Sequence, residues 1–281
     1  MYKAGLLVFT LLVGSLAVPT PDNDDKSLDQ FFYDAPDSRI VGGTEAAAGS
    51  HKHMVAMTTG LLVRSFLCGG SLVTQRSVLT AAHCIAAVFS WGSLSSSLRV
   101  TVGTNRWSTG GQTYSISRNV THPNYVSNII KNDIGILITS SNIVLNNQVQ
   151  PVPLNFNYVG GGVPARAAGW GRIRGGGPIS ATLLEVQLNT VQGNACVSQV
   201  IQASQTLNVA APPVEPHIEL CTFRAEGFGT CNGDSGSALT RVDNGQQIGI
   251  VSWGFPCARG APDMFVRVSA YQSWISASLA Y

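Results

Sequence analysis

Three residues able to move protons and acyl groups stand in short, distinctive contexts. They are His83 in Leu79-Thr-Ala-Ala-His83-Cys84, Asp133 in Asn132-Asp133-Ile134, and Ser235 in Cys231-Asn-Gly-Asp-Ser235-Gly-Ser. A serine hydroxyl is a weak nucleophile until a base takes its proton; an imidazole is such a base near neutral pH, and a carboxylate can hold that imidazole in one tautomer. The run Gly233-Asp-Ser235-Gly236 reads as a tight turn whose small residues leave a hydroxyl and neighbouring backbone N–H groups open. Taken singly, the segments are suggestive of catalysis, and a turn serine, a core histidine and an incidental aspartate are the alternatives.

The elements that would have to position these residues are short strands. Apolar or alternating runs at 54–57, 61–67, 98–102, 134–138, 183–188 and 247–251 are split by clusters of Gly, Ser and Asn. With 30 glycines, the pattern points to an all-β barrel or sandwich. A single helix is expected at the end, where Val268, Tyr271, Trp274, Ile275 and Leu279 recur at helical spacing. The Gly-rich stretches 160–162 and 175–177 lack the Lys-Ser/Thr ending of a phosphate loop and read as surface turns.

Composition narrows the setting. The chain has 281 residues, 44% hydrophobic and 11% charged, which suits a globular protein. A formal charge of +2 without a basic cluster argues against a nucleic-acid partner. Lys3, the apolar run 4–13 and the small residues Ser15 and Ala17 predict a secretory signal peptide over 1–17. That run falls short of the ~20 residues that span a bilayer, so no membrane association is expected. Residues 18–39 carry Asp22, Asp24, Asp25, Asp29, Asp34 and Asp37 and no cysteine, as a detachable pro-segment would. In an oxidising compartment the cysteines at 68, 84, 196, 221, 231 and 257 suit three bridges, with composition alone leaving the pairing open.

Read together and in order behind Arg39-Ile40-Val-Gly-Gly43, with Gly169-Trp-Gly171 and Ser252-Trp-Gly254 between and after them, these motifs resemble the chymotrypsin and trypsin family from residue 40 to 281. The resemblance implies two packed six-stranded antiparallel β-barrels, about 40–150 and 151–281, with a C-terminal α-helix and the site in the cleft. It implies Ser235 as nucleophile, His83 as general base and then acid, and Asp133 as the group that orients the imidazole. It assigns the oxyanion hole to the N–H groups of Gly233 and Ser235, and the bridges to Cys68–Cys84, Cys196–Cys221 and Cys231–Cys257. It further implies a secreted zymogen: a trypsin-like protease would cut after Arg39, and the new amine of Ile40 would pair with Asp234.

The same resemblance places a substrate pocket at Gly229, Ser252, Trp253, Gly254 and Asp263. Gly229 stands where an aspartate marks a simple Arg/Lys cutter. Asp263 stands where glycine is usual, a combination similar to arthropod digestive chymotrypsins and crab-collagenase-type enzymes. Cleavage after Phe, Tyr and Leu is expected, with secondary cleavage after Arg or Lys. The implied partners are protein and peptide substrates, the activating protease and protein protease inhibitors, for a monomer. The resemblance places the family's calcium loop at 103–117, which has no acidic residue here, so no calcium, other metal or cofactor is expected. After Ile40, 12 arginines against Lys52 and Lys131 suit an alkaline gut lumen. Asn119-Val-Thr121 is a glycosylation sequon, and His51 and His53 read as solvent-facing strand neighbours. The competing readings are a non-catalytic binding homologue and a narrow regulatory protease.

Overall fold

The computed structural model describes residue 40 and residues 42–280 except 174 and 256. The expected signal peptide 1–17 and the expected pro-segment 18–39, with Arg39, therefore lie outside the described residues. Strands form where side chains can divide between two faces. The segment Met54–Thr59 shows why: Val55 and Met57 enter one apolar cluster, while Met54 and Ala56 face another with Ala46, Ala168, Trp170 and Leu183. A strand with period two can serve two cores at once.

In chain order the strands are β1 (Thr44–Glu45), β2 (Met54–Thr59), β3 (Ser65–Leu72), β4 (Ser77–Thr80), β5 (Phe89–Ser90), β6 (Ser93–Leu94), β7 (Arg99–Val102), β8 (Gln112–Thr121) and β9 (Gly135–Thr139). They continue with β10 (Pro164–Gly169), β11 (Leu184–Val191), β12 (Glu219–Phe223), β13 (Ala238–Arg241), β14 (Gln247–Gly254) and β15 (Asp263–Arg267). The α-helices among the described residues are α1 (Ala82–Ala86), α2 (Gly193–Leu207) and α3 (Gln272–Ser278). β2, β3, β4, β9, β8 and β7 close into one antiparallel barrel. A second closes in the order β11, β10, β13, β14, β15 and β12, with Thr190 of β11 opposite Thr222 of β12 sealing it. Closure removes the free edges that would otherwise invite pairing with other chains.

The two ends of the described chain each fasten to the other barrel. β1 joins the second barrel, Thr44 opposite Glu185. Ile275 of α3, with Val268 and Tyr271, packs into the cluster of the first barrel, and the Ala280 carbonyl accepts the Ser77 hydroxyl at 2.9 Å. A division of the chain at residue 150 is thus crossed twice. The interface is also laced by polar groups: the Asn105 carbonyl accepts both the Trp170 indole N–H at 2.8 Å and the Leu183 N–H at 2.7 Å.

The structure departs from sequence expectation in three places. The run 61–67 becomes strand only from Ser65, because Gly60 turns the chain at φ +106° and leaves Leu61, Leu62 and Val63 at an exposed tip. The helix α2 was not anticipated. It buries Cys196, Val200 and Ala203, spaced four and three residues apart, along an otherwise polar sequence. His51 and His53 are half-buried and not solvent-facing: His51 Nε2 meets Glu185 Oε2 at 2.5 Å, and burial pushes His53 down to about 3. All three disulfides form as the resemblance implies.

The packing of α3 generates a test. Ile275 is fully buried, so Ile275→Ala should cost about 2–5 kcal/mol, read from urea unfolding.

Candidate active site

The site is built from the two barrels at their junction. His83 rides on α1, directly after β4, and the adjacent Cys84 is bridged to Cys68 in β3, which fixes the helix against the barrel wall. Asp133 ends a loop in which Ile130 and Asn132 take left-handed conformations at φ 48° and 53°. Such backbone is unfavourable for a branched residue like isoleucine and persists only where the surroundings hold it. Here Ile130 is buried among Trp253, Met264 and Cys221 of the second barrel.

Asp133 is buried, and its two oxygens collect three donors. Oδ1 accepts the His83 backbone N–H at 2.8 Å, while Oδ2 accepts His83 Nδ1–H at 2.8 Å and the Ser252 hydroxyl at 2.6 Å. With Nδ1 committed as donor, Nε2 carries the lone pair and can act as base. Burial alone would lower the imidazole's pKa, but the charge of Asp133 and its hydrogen bond prevail and hold it above the ordinary 6.5. Burial would raise Asp133, yet the nearby His83 and the donated hydrogen bonds keep it below the usual carboxylate value. The pair is set up to stabilise an imidazolium.

Ser235 sits in the turn that follows Cys231, which is bridged to Cys257. Its carbonyl accepts the Gly69 N–H at 2.8 Å, and the Gly236 N–H reaches the Val251 carbonyl at 2.8 Å, so both barrels grip the turn. Gly236 has φ +80°, and a Cβ there would lie 2.2 Å from Thr80 Oγ1 and 2.5 Å from the Gly69 carbonyl. Only glycine fits. Among the described residues, the N–H groups of Asp234, Gly236 and Ser237 are taken by the carbonyls of Cys231, Val251 and Asp234. Gly233 has φ +95°.

His83, Gly233, Ser235, Ser252 and Leu67 line one cleft of about 200 Å³. His83 Nε2 faces the Cys84 sulfur at 3.6 Å with the Ser235 hydroxyl in the same hollow. The Cys68, His83 and Cys84 ligand atoms lie within 4.8 Å of one another, but both sulfurs are spent in a disulfide and offer no thiolate to a metal.

Two more buried carboxylates flank the turn. Asp234 Oδ1 accepts the Gly171 N–H at 2.8 Å and Oδ2 the Cys231 N–H at 2.9 Å; burial outweighs these neutral donors and lifts the acid to about 7. Ile40 is fully buried in the second barrel's cluster. Asp263 opens β15, and its Oδ2 accepts the Thr230 N–H at 2.7 Å. A Cβ on Gly229 would lie 2.6 Å from that oxygen, and one on Gly254 3.4 Å from Oδ1. Asp263 therefore stands between Gly229 and Gly254, and burial lifts it, too, to about 7. Trp253 is buried between Ser252 and Gly254 on β14. Asn119 lies half-buried in β8 opposite Leu137. Sequence reasoning missed Lys131 and Glu219, whose buried ion pair at 2.8 Å joins the Asp133 loop to β12; no local motif marks either.

Residues 40–275 match the family model described as Trypsin. The chain is 36% identical over 237 residues to chymotrypsin-2 of Vespa crabro, covering 84% of this chain and 98% of that relative. It is 38% identical over 249 residues to alkaline trypsin B of Manduca sexta, covering 84% and 90%. Trypsin beta of Drosophila erecta matches at 31% over 241 residues, covering 85% and 88%.

A raised imidazole has a defined signature. Activity should fall on acidification with a midpoint above the ordinary 6.5, because the protonated ring cannot accept the serine proton. In Asp133→Asn the midpoint should drop and kcat should fall by about 10⁴, both read from kcat/KM profiles between mildly acidic and alkaline pH.

Proposed function

Because the chain belongs to the trypsin family and is a serine endopeptidase acting on proteins, we propose that His83, Asp133 and Ser235 are its catalytic triad, working in a secreted zymogen of broad, chymotrypsin-like preference. The observation that carries the triad is the buried Asp133 carboxylate, whose Oδ2 accepts both His83 Nδ1–H and the Ser252 hydroxyl.

In this reading Nε2 takes the Ser235 proton as Oγ bonds to the scissile carbonyl carbon. The carbonyl electron pair moves onto oxygen, where the N–H groups of Gly233 and Ser235 receive it. Each such donor lowers the barrier by roughly 3 kcal/mol. The imidazolium returns its proton to the leaving amine as the C–N bond breaks, giving an acyl-enzyme. Water then repeats the sequence and frees Ser235.

Activation follows from the unpaired charge of Asp234. A buried carboxylate held only by neutral donors is poorly stabilised, and cleavage after Arg39 would supply an ammonium on Ile40, whose side chain already lies buried in the same barrel. Pairing there would hold the turn that carries Gly233 and Ser235. The proposed signal peptide, the acidic pro-segment and an alkaline gut lumen are consistent with the insect digestive enzymes the chain resembles in sequence.

For specificity, the glycines at 229 and 254 leave space beside Asp263. Neutral, that acid tolerates an aromatic or aliphatic side chain; ionised, it meets a cation. Broad cleavage of short peptides after Phe, Tyr, Leu and Arg would support a digestive role, and cleavage of one sequence only would favour a regulatory protease.

Two outcomes test this. Since Asp263 titrates near 7, the ratio of Arg to Phe cleavage should climb roughly tenfold as pH rises through neutrality, and Asp263→Asn should flatten it; a flat profile in the parent protein removes the pocket role. For Asp234, a folded pKa of about 7 against 3.8 means the folded uncut chain binds the extra proton. Its stability should therefore decline as pH rises from about 4 to 7. Cleavage after Arg39 should make that decline shallower by Asp234's share, the share of Asp263, which also lies at about 7, remaining, measured by denaturant melts of cut protein and of an uncut Arg39→Gln variant.

A further inference from the structure

Four consecutive residues of the loop that delivers Asp133 are held from outside the first barrel's strands, three by the second barrel and Asn132 by the C-terminal segment. Ile130 is buried against Trp253 and Met264. Lys131 Nζ donates to Glu219 Oε1 at 2.8 Å. Asn132 Oδ1 accepts the Tyr271 hydroxyl at 3.0 Å, and Asp133 accepts Ser252. The lysine contact differs in kind from the others. Both ions are almost fully buried, at 3% and 6% exposure, and they lie 88 residues apart on different barrels.

Glu219 is fully engaged. Its Oε1 also accepts the Trp253 indole N–H at 2.8 Å, and its Oε2 accepts the Glu215 N–H at 2.7 Å. Its own carbonyl accepts Arg267 Nε. Lys131 Nζ additionally lies 5.4 Å from the Trp253 ring centre. One carboxylate thus ties the residue two before Asp133 to the residue after Ser252, the two chain segments that meet at the Asp133 carboxylate.

We propose that the buried Lys131–Glu219 ion pair is a positioning device, fixing the register in which the Asp133 loop docks on the second barrel and so aiming Asp133 at His83. A buried ion pair is a weak source of stability, because desolvating two charges offsets most of their attraction; an apolar pair of similar volume is often as stable. Its best-attested use is to select one register, since only one arrangement satisfies both charges. An apolar contact tolerates sliding by an ångström. A lysine that must reach one carboxylate oxygen does not. Misplacement on that scale can lower a rate about 100-fold without touching the chemical groups themselves.

The inference rests on the triad reading, and its test separates the two. In Lys131→Met/Glu219→Gln no unpaired charge is left, and the amide keeps an acceptor for the indole. In Glu219→Asp both charges stay, with the acceptor one methylene short. Each variant should melt within a few degrees of the parent, keep its KM for a short peptide, and lose about 10- to 100-fold in kcat. The acidic midpoint of kcat/KM should also move down towards 6.5, because a loosened Asp133 no longer holds the imidazole high. Parent kcat and midpoint in either folded variant overturn the proposal. A Ser235→Ala control that is silent alongside such a result sinks the positioning role alone; a control that retains activity sinks the triad reading with it.

Discussion

A carboxylate buried away from water must have its lone pairs occupied or it will take up a proton. Asp133 meets this demand only because groups from both barrels converge on it: His83 from the first through backbone and ring, Ser252 from the second through its hydroxyl. Much of the remaining architecture serves that convergence. β1 and α3 each cross to the opposite barrel, the Asn105 carbonyl stitches Trp170 and Leu183 across the seam, and the Ser235 turn is gripped by Gly69 and Val251 from either side.

Three buried aspartates lie within this one region, and their environments sort them by role. Asp133 faces an imidazole and stays ionised. Asp234 and Asp263 have backbone N–H donors and are driven up to about 7. In the proposed reading each of the latter two would be met by a cation: the amine released on Ile40 for one, a basic substrate side chain for the other. The same physical state, an undercompensated buried acid, would then serve activation in one place and substrate choice in another. The two are coupled, since the Asp234 charge itself helps to raise Asp263.

Much of this was legible in the sequence because the chemistry is carried by contiguous residues. The segments around His83, Asp133 and Ser235, the alternating runs, and Gly229 with Asp263 could all be read locally. The pairing of the cysteines came from resemblance and is matched in the structure. What escaped was set by distant contacts. Lys131 and Glu219 are unremarkable in their own stretches and acquire meaning only when the barrels meet. His51 reads as a surface residue until β11 brings Glu185 to it. α2 hides a narrow buried stripe within Gln, Ser and Asn, and the apolar run 61–63 imitates a strand although Gly60 throws it outwards.

The most direct test of the account is covalent labelling of the cut protein by a peptide fluorophosphonate, with the modified residue located by mass spectrometry and the rate followed across pH. The prediction is a single adduct on Ser235, formed at a rate that rises with deprotonation of an imidazole titrating above 6.5. An adduct elsewhere, or a rate at Ser235 indifferent to pH across the histidine range, would contradict the linkage of Asp133, His83 and Ser235 on which the mechanism depends.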